Sequence, residues 1–142
     1  MGEEHGAAEL TTRPLYLMDT HALYWRRLGS PMLSKAAAGT FHEGIAGKAD
    51  LIVHHVAIAE LYYILQKQNQ IPLFAPMLQD YQTFPYYRVE PIELIDLERL
   101  GDVPEIPEMH DRLLAVAAKR LGATIVTRDP IIQASTQVRS LW

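Results

Sequence analysis

Two short apolar runs in this chain end at an aspartate, and that limits the folds open to it. Leu15-Tyr16-Leu17-Met18 breaks at Asp19, and Thr124-Ile125-Val126-Thr127 is followed by Arg128 and Asp129. The apolar residues in these runs are consecutive rather than alternating, the pattern of a strand covered on both faces in a parallel sheet. In such a sheet the carboxyl ends of the strands open onto one crevice, so acids far apart in sequence can meet there. Several carboxylates in one crevice repel each other unless a cation sits among them. The pattern therefore reads as a divalent-metal site.

The rest of the chain supplies the crossovers that a parallel sheet needs. Strands are expected at residues 15–19, 51–54, 87–90 and 124–127, with a fifth at 137–139. Helices are expected at 21–28, 35–46, 56–68, 72–84, 93–100 and 110–121, and a helical turn at 130–134. Ser34 is placed to cap the second helix, Gly122 to end the sixth, and Thr20 to cap the first. Strand and helix in alternation imply the α/β class, as a three-layer α/β/α sandwich with a central, mostly parallel sheet.

At 142 residues, 49% of them hydrophobic, the chain is the size of one globular domain. Residues 1–14, rich in Gly, Glu, Ala and Thr, read as a flexible leader without a signal-peptide apolar core, and residues 15–142 as the domain. No apolar run approaches the length of a membrane span. The absence of cysteine excludes disulfides and thiolate metal sites, and fits a cytoplasmic location. The net charge of −4 argues against a passive nucleic-acid coat, since phosphate neutralisation supplies most of that affinity. It leaves room for local binding of a polyanion at a cation.

Each candidate acid has an ordinary explanation beside the functional one. Asp19 would serve as a helix N-cap, but Thr20 is available for that task and an acid against a buried strand costs desolvation. Glu60 shares a helical face with Val56, Ala57 and Ile64, the face that should meet the sheet, so it needs a cationic partner or a metal. Asp111 suits a helix N-terminus electrostatically, yet lies on one face with Leu114, Ala115 and Ala118. Asp129 precedes Pro130, a common turn start, with Thr127 two residues earlier on the same side. Glu90, Glu93, Asp96 and Glu98 read as an exposed face, Asp102, Glu105 and Glu108 as loop acids, and Asp50 as a solvated turn. His21, His54, His55 and His110 lack ligand spacing, which argues against zinc. No phosphate loop, no nucleophile elbow and no cysteine nucleophile is present.

In order and spacing, Leu17-Met18-Asp19-Thr20-His21-Ala22-Leu23-Tyr24-Trp25, Ala59-Glu60-Leu61, His110-Asp111-Arg112-Leu113-Leu114-Ala115 and Ile125-Val126-Thr127-Arg128-Asp129 resemble the PIN domain. The similarity is to the VapC-like ribonuclease toxins of bacterial toxin–antitoxin pairs. It implies an acid quartet of Asp19, Glu60, Asp111 and Asp129, with Thr20 and Thr127 as polar companions. It also implies Mg²⁺ or Mn²⁺ as cofactor and hydrolysis of single-stranded or exposed-loop RNA. Asp19, Asp111 and Asp129 would be direct ligands, and Glu60 would act through water. Arg26, Arg27, Lys35, Arg112 and Arg128 are candidate phosphate contacts. The family implies a homodimer and an antitoxin seated on an apolar groove. The aromatic stretch Tyr62-Tyr63, Phe74, Met77, Tyr81, Phe84 and Tyr86-Tyr87 is expected to be mostly core, the rest interface. A non-catalytic PIN-like module that binds RNA or a partner is the alternative. A phospho-acceptor signalling domain ranks last, because no lysine follows the late strand.

Overall fold

The structure, a computed structural model, describes residues 13–142. Of the expected leader, only Arg13 and Pro14 fall within the described residues. Five strands form one sheet: β1 (Leu15–Met18), β2 (Asp50–His54), β3 (Tyr87–Glu90), β4 (Thr124–Val126) and β5 (Arg139–Leu141), in the order β3-β2-β1-β4-β5. Every neighbouring pair is parallel. Among the described residues seven helices make the connections: α1 (Thr20–Leu28), α2 (Lys35–Ile45), α3 (His55–Lys67), α4 (Phe74–Thr83), α5 (Leu94–Glu98), α6 (Met109–Leu121) and α7 (Pro130–Ala134). Successive strand residues point to opposite faces, and Leu17 and Met18 are both wholly buried, as are Leu51, Ile52 and Val53. Both faces of the sheet are therefore covered, and the architecture is the three-layer α/β/α sandwich.

The strand order decides where a site can lie. From β1 the chain runs outward through β2 to β3, then returns across the sheet to β4 and β5. The order reverses at β1, so a crevice opens at the carboxyl ends of β1 and β4, where neighbouring crossovers diverge. The backbone closes that junction tightly: the Asp19 amide donates to the Val126 carbonyl at 3.0 Å. Helix α1 packs on α3, and α3 on α6, which brings the starts of those helices to the same edge.

Local chemistry follows expectation at several boundaries. Ser34 Oγ accepts the Ala37 amide at the start of α2, and Gly122 ends α6 in the left-handed region at φ 69°. Elsewhere the structure departs from the sequence reading. Asp19, not Thr20, caps α1: its carboxylate accepts the Thr20 amide, and Thr20 is already the first helical residue. The last strand begins at Arg139, because the Ser135 hydroxyl accepts the Gln137 amide and holds that stretch in a turn. The expected helix over 72–84 opens as a 3-10 turn, Ile71–Leu73, before α4.

Asp96 is a clear correction. Expected on an exposed face, it is 1% exposed and paired with Arg120, Nε to Oδ1 at 2.7 Å and Nη2 to Oδ2 at 3.2 Å. Its Oδ2 also accepts the Glu93 amide at 3.1 Å. Burial would raise its pKa, but these bonds and the Arg120 charge outweigh that and hold it below the usual carboxylate range. A short helix laid against α6 buries the one acid that faces its neighbour.

Candidate functional site

At the carboxyl ends of β1 and β4 lies a cleft of about 620 Å³. Four chain segments bring acids to it. Asp19 comes from the β1–α1 junction, Glu60 from α3, Asp111 from the first turn of α6, and Asp129 from the cap of α7. Asp129 is fixed by its own helix, since Oδ1 accepts the Ile131 amide at 2.8 Å. The volume falls within the ~300–1,000 Å³ typical of ligand clefts, well above the space of a hydrated ion.

Two threonines tie the acids together. Thr127, wholly buried, donates its hydroxyl to Asp19 Oδ2 at 2.6 Å and accepts the Asp129 amide at 3.0 Å. Thr20, also buried, donates to Glu60 Oε1 at 2.9 Å. Each hydroxyl sets a carboxylate rotamer across two elements that only the tertiary fold brings together.

The electrostatics of the cleft are frustrated. Burial lifts Asp19 above the ordinary carboxylate range, against the hydrogen bonds from Thr127 and Thr20 that pull it down. Burial likewise raises Glu60. Asp111 is pushed up to about 7, first by burial and then by the negative charges of Asp19, Asp129, Glu108 and Glu60. Carboxylates that resist ionising together form a site where a cation would be welcome.

The family model for the PIN domain matches residues 16–135. The chain belongs to the PIN domain family. Solved structures share its fold. The VapBC2 complex of Rickettsia felis, bound to a DNA fragment from its promoter, superposes with a TM-score of 0.70 at 14% identity, covering 90% of this chain and 98% of that one. FitAcB of Neisseria gonorrhoeae gives 0.66 at 16% identity, covering 89% and 96%. VapC20 of Mycobacterium tuberculosis, described as a sarcin–ricin loop cleaving toxin, gives 0.57 at 16% identity, covering 87% and 98%. No curated protein sequence matches the chain significantly.

In this PIN domain the cleft holds two residues that sequence reasoning set aside. Glu108, read as a loop acid, is the cap of α6: its Oε1 accepts the Asp111 amide at 3.1 Å. His110 Nδ1 lies 3.1 Å from Glu108 Oε2 and 3.5 Å from Glu60 Oε2. Glu60, Glu108 and His110 each offer a donor atom within 4.8 Å of the others, the one such three-donor group among the described residues. Asp19, Asp111 and Asp129 share the cleft without forming so tight a group. The missed signal was available: Glu108 stands three residues before Asp111, the spacing at which an N-cap side chain meets a backbone amide.

Of the five basic candidates, only Arg128 lines the cleft. Its guanidinium lies over the Trp25 ring, 4.9 Å from the centroid. Arg112 instead donates to the Ile106 and Pro104 carbonyls, at 2.7 and 3.3 Å, and so holds the loop before α6. Arg27 pairs with Asp80, and Arg26 covers the Phe41 ring, both beside a smaller cleft between α1 and α4. Lys35 is exposed at the start of α2. Within the aromatic stretch Met77 and Tyr81 are core, while Tyr62, Tyr63 and Phe84 are exposed. Among the described residues no helix is long and apolar enough to cross a membrane.

Proposed function

We propose that this PIN domain is a divalent-metal-dependent endoribonuclease, the toxin of a toxin–antitoxin pair, acting in the cytoplasm. The observation that carries the reading is the convergence of Asp19, Glu60, Asp111 and Asp129 from four segments on one cleft, with Asp111 held up to about 7 by burial and then by its acidic neighbours. The donor set fits a hard cation: carboxylate oxygens suit Mg²⁺ or Mn²⁺, and the excess negative charge is what such an ion neutralises. Asp19, Asp111 and Asp129 would hold it. Once bound, the cation supplies charge stabilisation at a phosphate oxygen and acidification of water.

The chain's own residues do the rest. Thr127 holds the Asp19 carboxylate in one rotamer, so that this ligand is oriented before any ion arrives. Glu60, anchored by Thr20 and raised by burial, is poised to take a proton from the attacking water at its carboxylate. Arg128 offers a guanidinium to a non-bridging phosphate oxygen. Attack by water, rather than by the RNA 2′-hydroxyl, leaves a 5′-phosphate and a 3′-hydroxyl. The VapBC and FitAcB neighbours support an antitoxin partner, and a homodimer belongs to the same proposal.

The test is cleavage of mixed tRNA and rRNA by purified protein with Mg²⁺ or Mn²⁺, against EDTA and against Asp19→Asn. We expect cleavage that needs the metal and falls more than about 100-fold in the variant, with the fold intact by circular dichroism. Undiminished cleavage by Asp19→Asn would sink the metal model. Metal-independent RNA binding without cleavage would favour the non-catalytic module.

A further inference from the structure

The carboxylates occupy only part of the cleft. Its other wall is aromatic: His21 and Trp25 from α1, and Tyr63 from α3, one turn beyond Glu60. These rings do not stand alike. Trp25 is already engaged, with Arg128 over its ring and Trp142 edge-on at 5.8 Å. His21 tilts against Trp25 at 5.0 Å. Together they form a braced wall that presents the Arg128 guanidinium to the cleft. Arg128 is the one Lys or Arg side chain in the lining and makes no ion pair among the described residues.

Tyr63 is different. It lines the cleft yet is 69% exposed, and its hydroxyl makes no hydrogen bond among the described residues. The nearest ring, Tyr62, meets it at 85° rather than in a stack, and Tyr62 is itself braced edge-on by Phe74. Packing on the core therefore does not account for Tyr63. A large ring held on a helix at the mouth of an acid cleft has an obvious ligand chemistry, a flat aromatic face.

We propose that the Tyr63 ring is the stacking platform for one unpaired base next to the scissile phosphate, with Arg128 on the adjoining phosphate. The inference rests on the nuclease reading and specifies how that site would choose its substrate. A base within a duplex has both faces covered by its neighbours and cannot lie on Tyr63 without being unstacked. A base in a loop or single strand can do so directly. The preference for unpaired RNA thus comes from a side chain apart from the metal ligands, and it affects binding more than the chemical step.

The experiment measures affinity for a short unpaired mixed-sequence RNA, a hairpin duplex and an abasic ribose-phosphate oligomer, with Ca²⁺ in place of Mg²⁺ to suppress hydrolysis. Stacking worth ~1–3 kcal/mol per base means that Tyr63→Ala weakens binding of the unpaired RNA about 5- to 150-fold. Tyr63→Phe should bind as the wild type, and the abasic oligomer should not distinguish the three proteins. In cleavage assays the Ala variant should raise KM and leave kcat nearly unchanged. Equal affinity of Tyr63→Ala and wild type for unpaired RNA would overturn the proposal, as would an equal loss on the abasic oligomer. A changed oligomeric state with unchanged RNA binding would assign the ring to a protein interface and overturn it too. Wild-type protein that cleaves RNA while Tyr63→Ala binds normally refutes the platform alone. Wild-type protein that neither binds nor cleaves RNA refutes the nuclease reading itself.

Discussion

Thr127 has no exposed surface, yet its hydroxyl serves two of the cleft's acids: it donates to the Asp19 carboxylate and accepts the Asp129 amide. Replacing it with valine keeps the shape and removes both bonds. Asp19 then loses one of the interactions holding its pKa down, and the half-buried Asp129 amide loses its partner, at a cost of about 1 kcal/mol. We expect Thr127→Val to weaken Mn²⁺ binding by about 10- to 100-fold in calorimetric titration, the range for residues that orient a metal ligand. Thr127→Ser should restore most of it, since the hydroxyl rather than the methyl does the orienting. Equal Mn²⁺ affinity in the valine variant would mean that Asp19 does not depend on Thr127 for its position.

Among the elements, α5 shows how a segment that reads as solvated becomes structural. Its five residues are too short to stand alone, and helices of this length depend on tertiary packing. Asp96 supplies that packing by joining α5 to Arg120 of α6, the helix that also carries Asp111 and His110. Removing one member of a buried pair leaves the other charge uncompensated, so Asp96→Ala should cost about 3–5 kcal/mol in urea unfolding. The sign of its pH dependence follows from its lowered pKa: the stabilisation is present above the unfolded value near ~3.9 and is lost as pH falls through the lower folded value. A variant as stable as the wild type above pH ~5 would show that the pair contributes little.

For the molecule as a whole, the acid cleft opposes folding at neutral pH when no cation is present. Asp111 has a folded pKa of about 7 against ~3.9 unfolded, so the folded protein binds more protons between those values. Its contribution to stability is full below about pH 4 and is lost as pH rises through about 7. In EDTA the melting temperature should therefore fall between about pH 5 and about pH 8, a window clear of the Asp96 transition. Asp111→Asn should flatten that slope. Mn²⁺ competes with the same protons, so its stabilisation should grow with pH, reaching about 2.7 kcal/mol at a hundred times the dissociation constant. A flat EDTA profile would show that the acids do not repel one another as the geometry implies. The net charge of −4 agrees with the proposed reading, in which a polyanion would be held only at this cleft.

Periodicity made much of this molecule legible. Consecutive apolar residues at 15–18 and 125–126, in a chain where strands and helices alternate, fit strands covered on both faces of a parallel sheet. The strand at 87–90 falls where its pattern places it, and the helical faces turn Glu60 and Asp111 inward. A period, however, says only which way a side chain points, and leaves open what it meets. Asp96 reads as solvated until α6 lies against it. Glu108 reads as a loop acid and His110 as a histidine without ligand spacing until α3 brings Glu60 beside them, and Arg112 reads as a phosphate contact until the preceding loop folds back onto it. Those outcomes depend on contacts between elements distant in sequence, whose side chains become neighbours only when the crossovers are packed. The sequence by itself determined the class of fold and the inward face of the acids, through local stereochemistry and hydrophobic period. The tertiary structure alone decided which groups share the cleft, because the low-dielectric contacts that shift a pKa or pair a charge exist only once water has been excluded between elements.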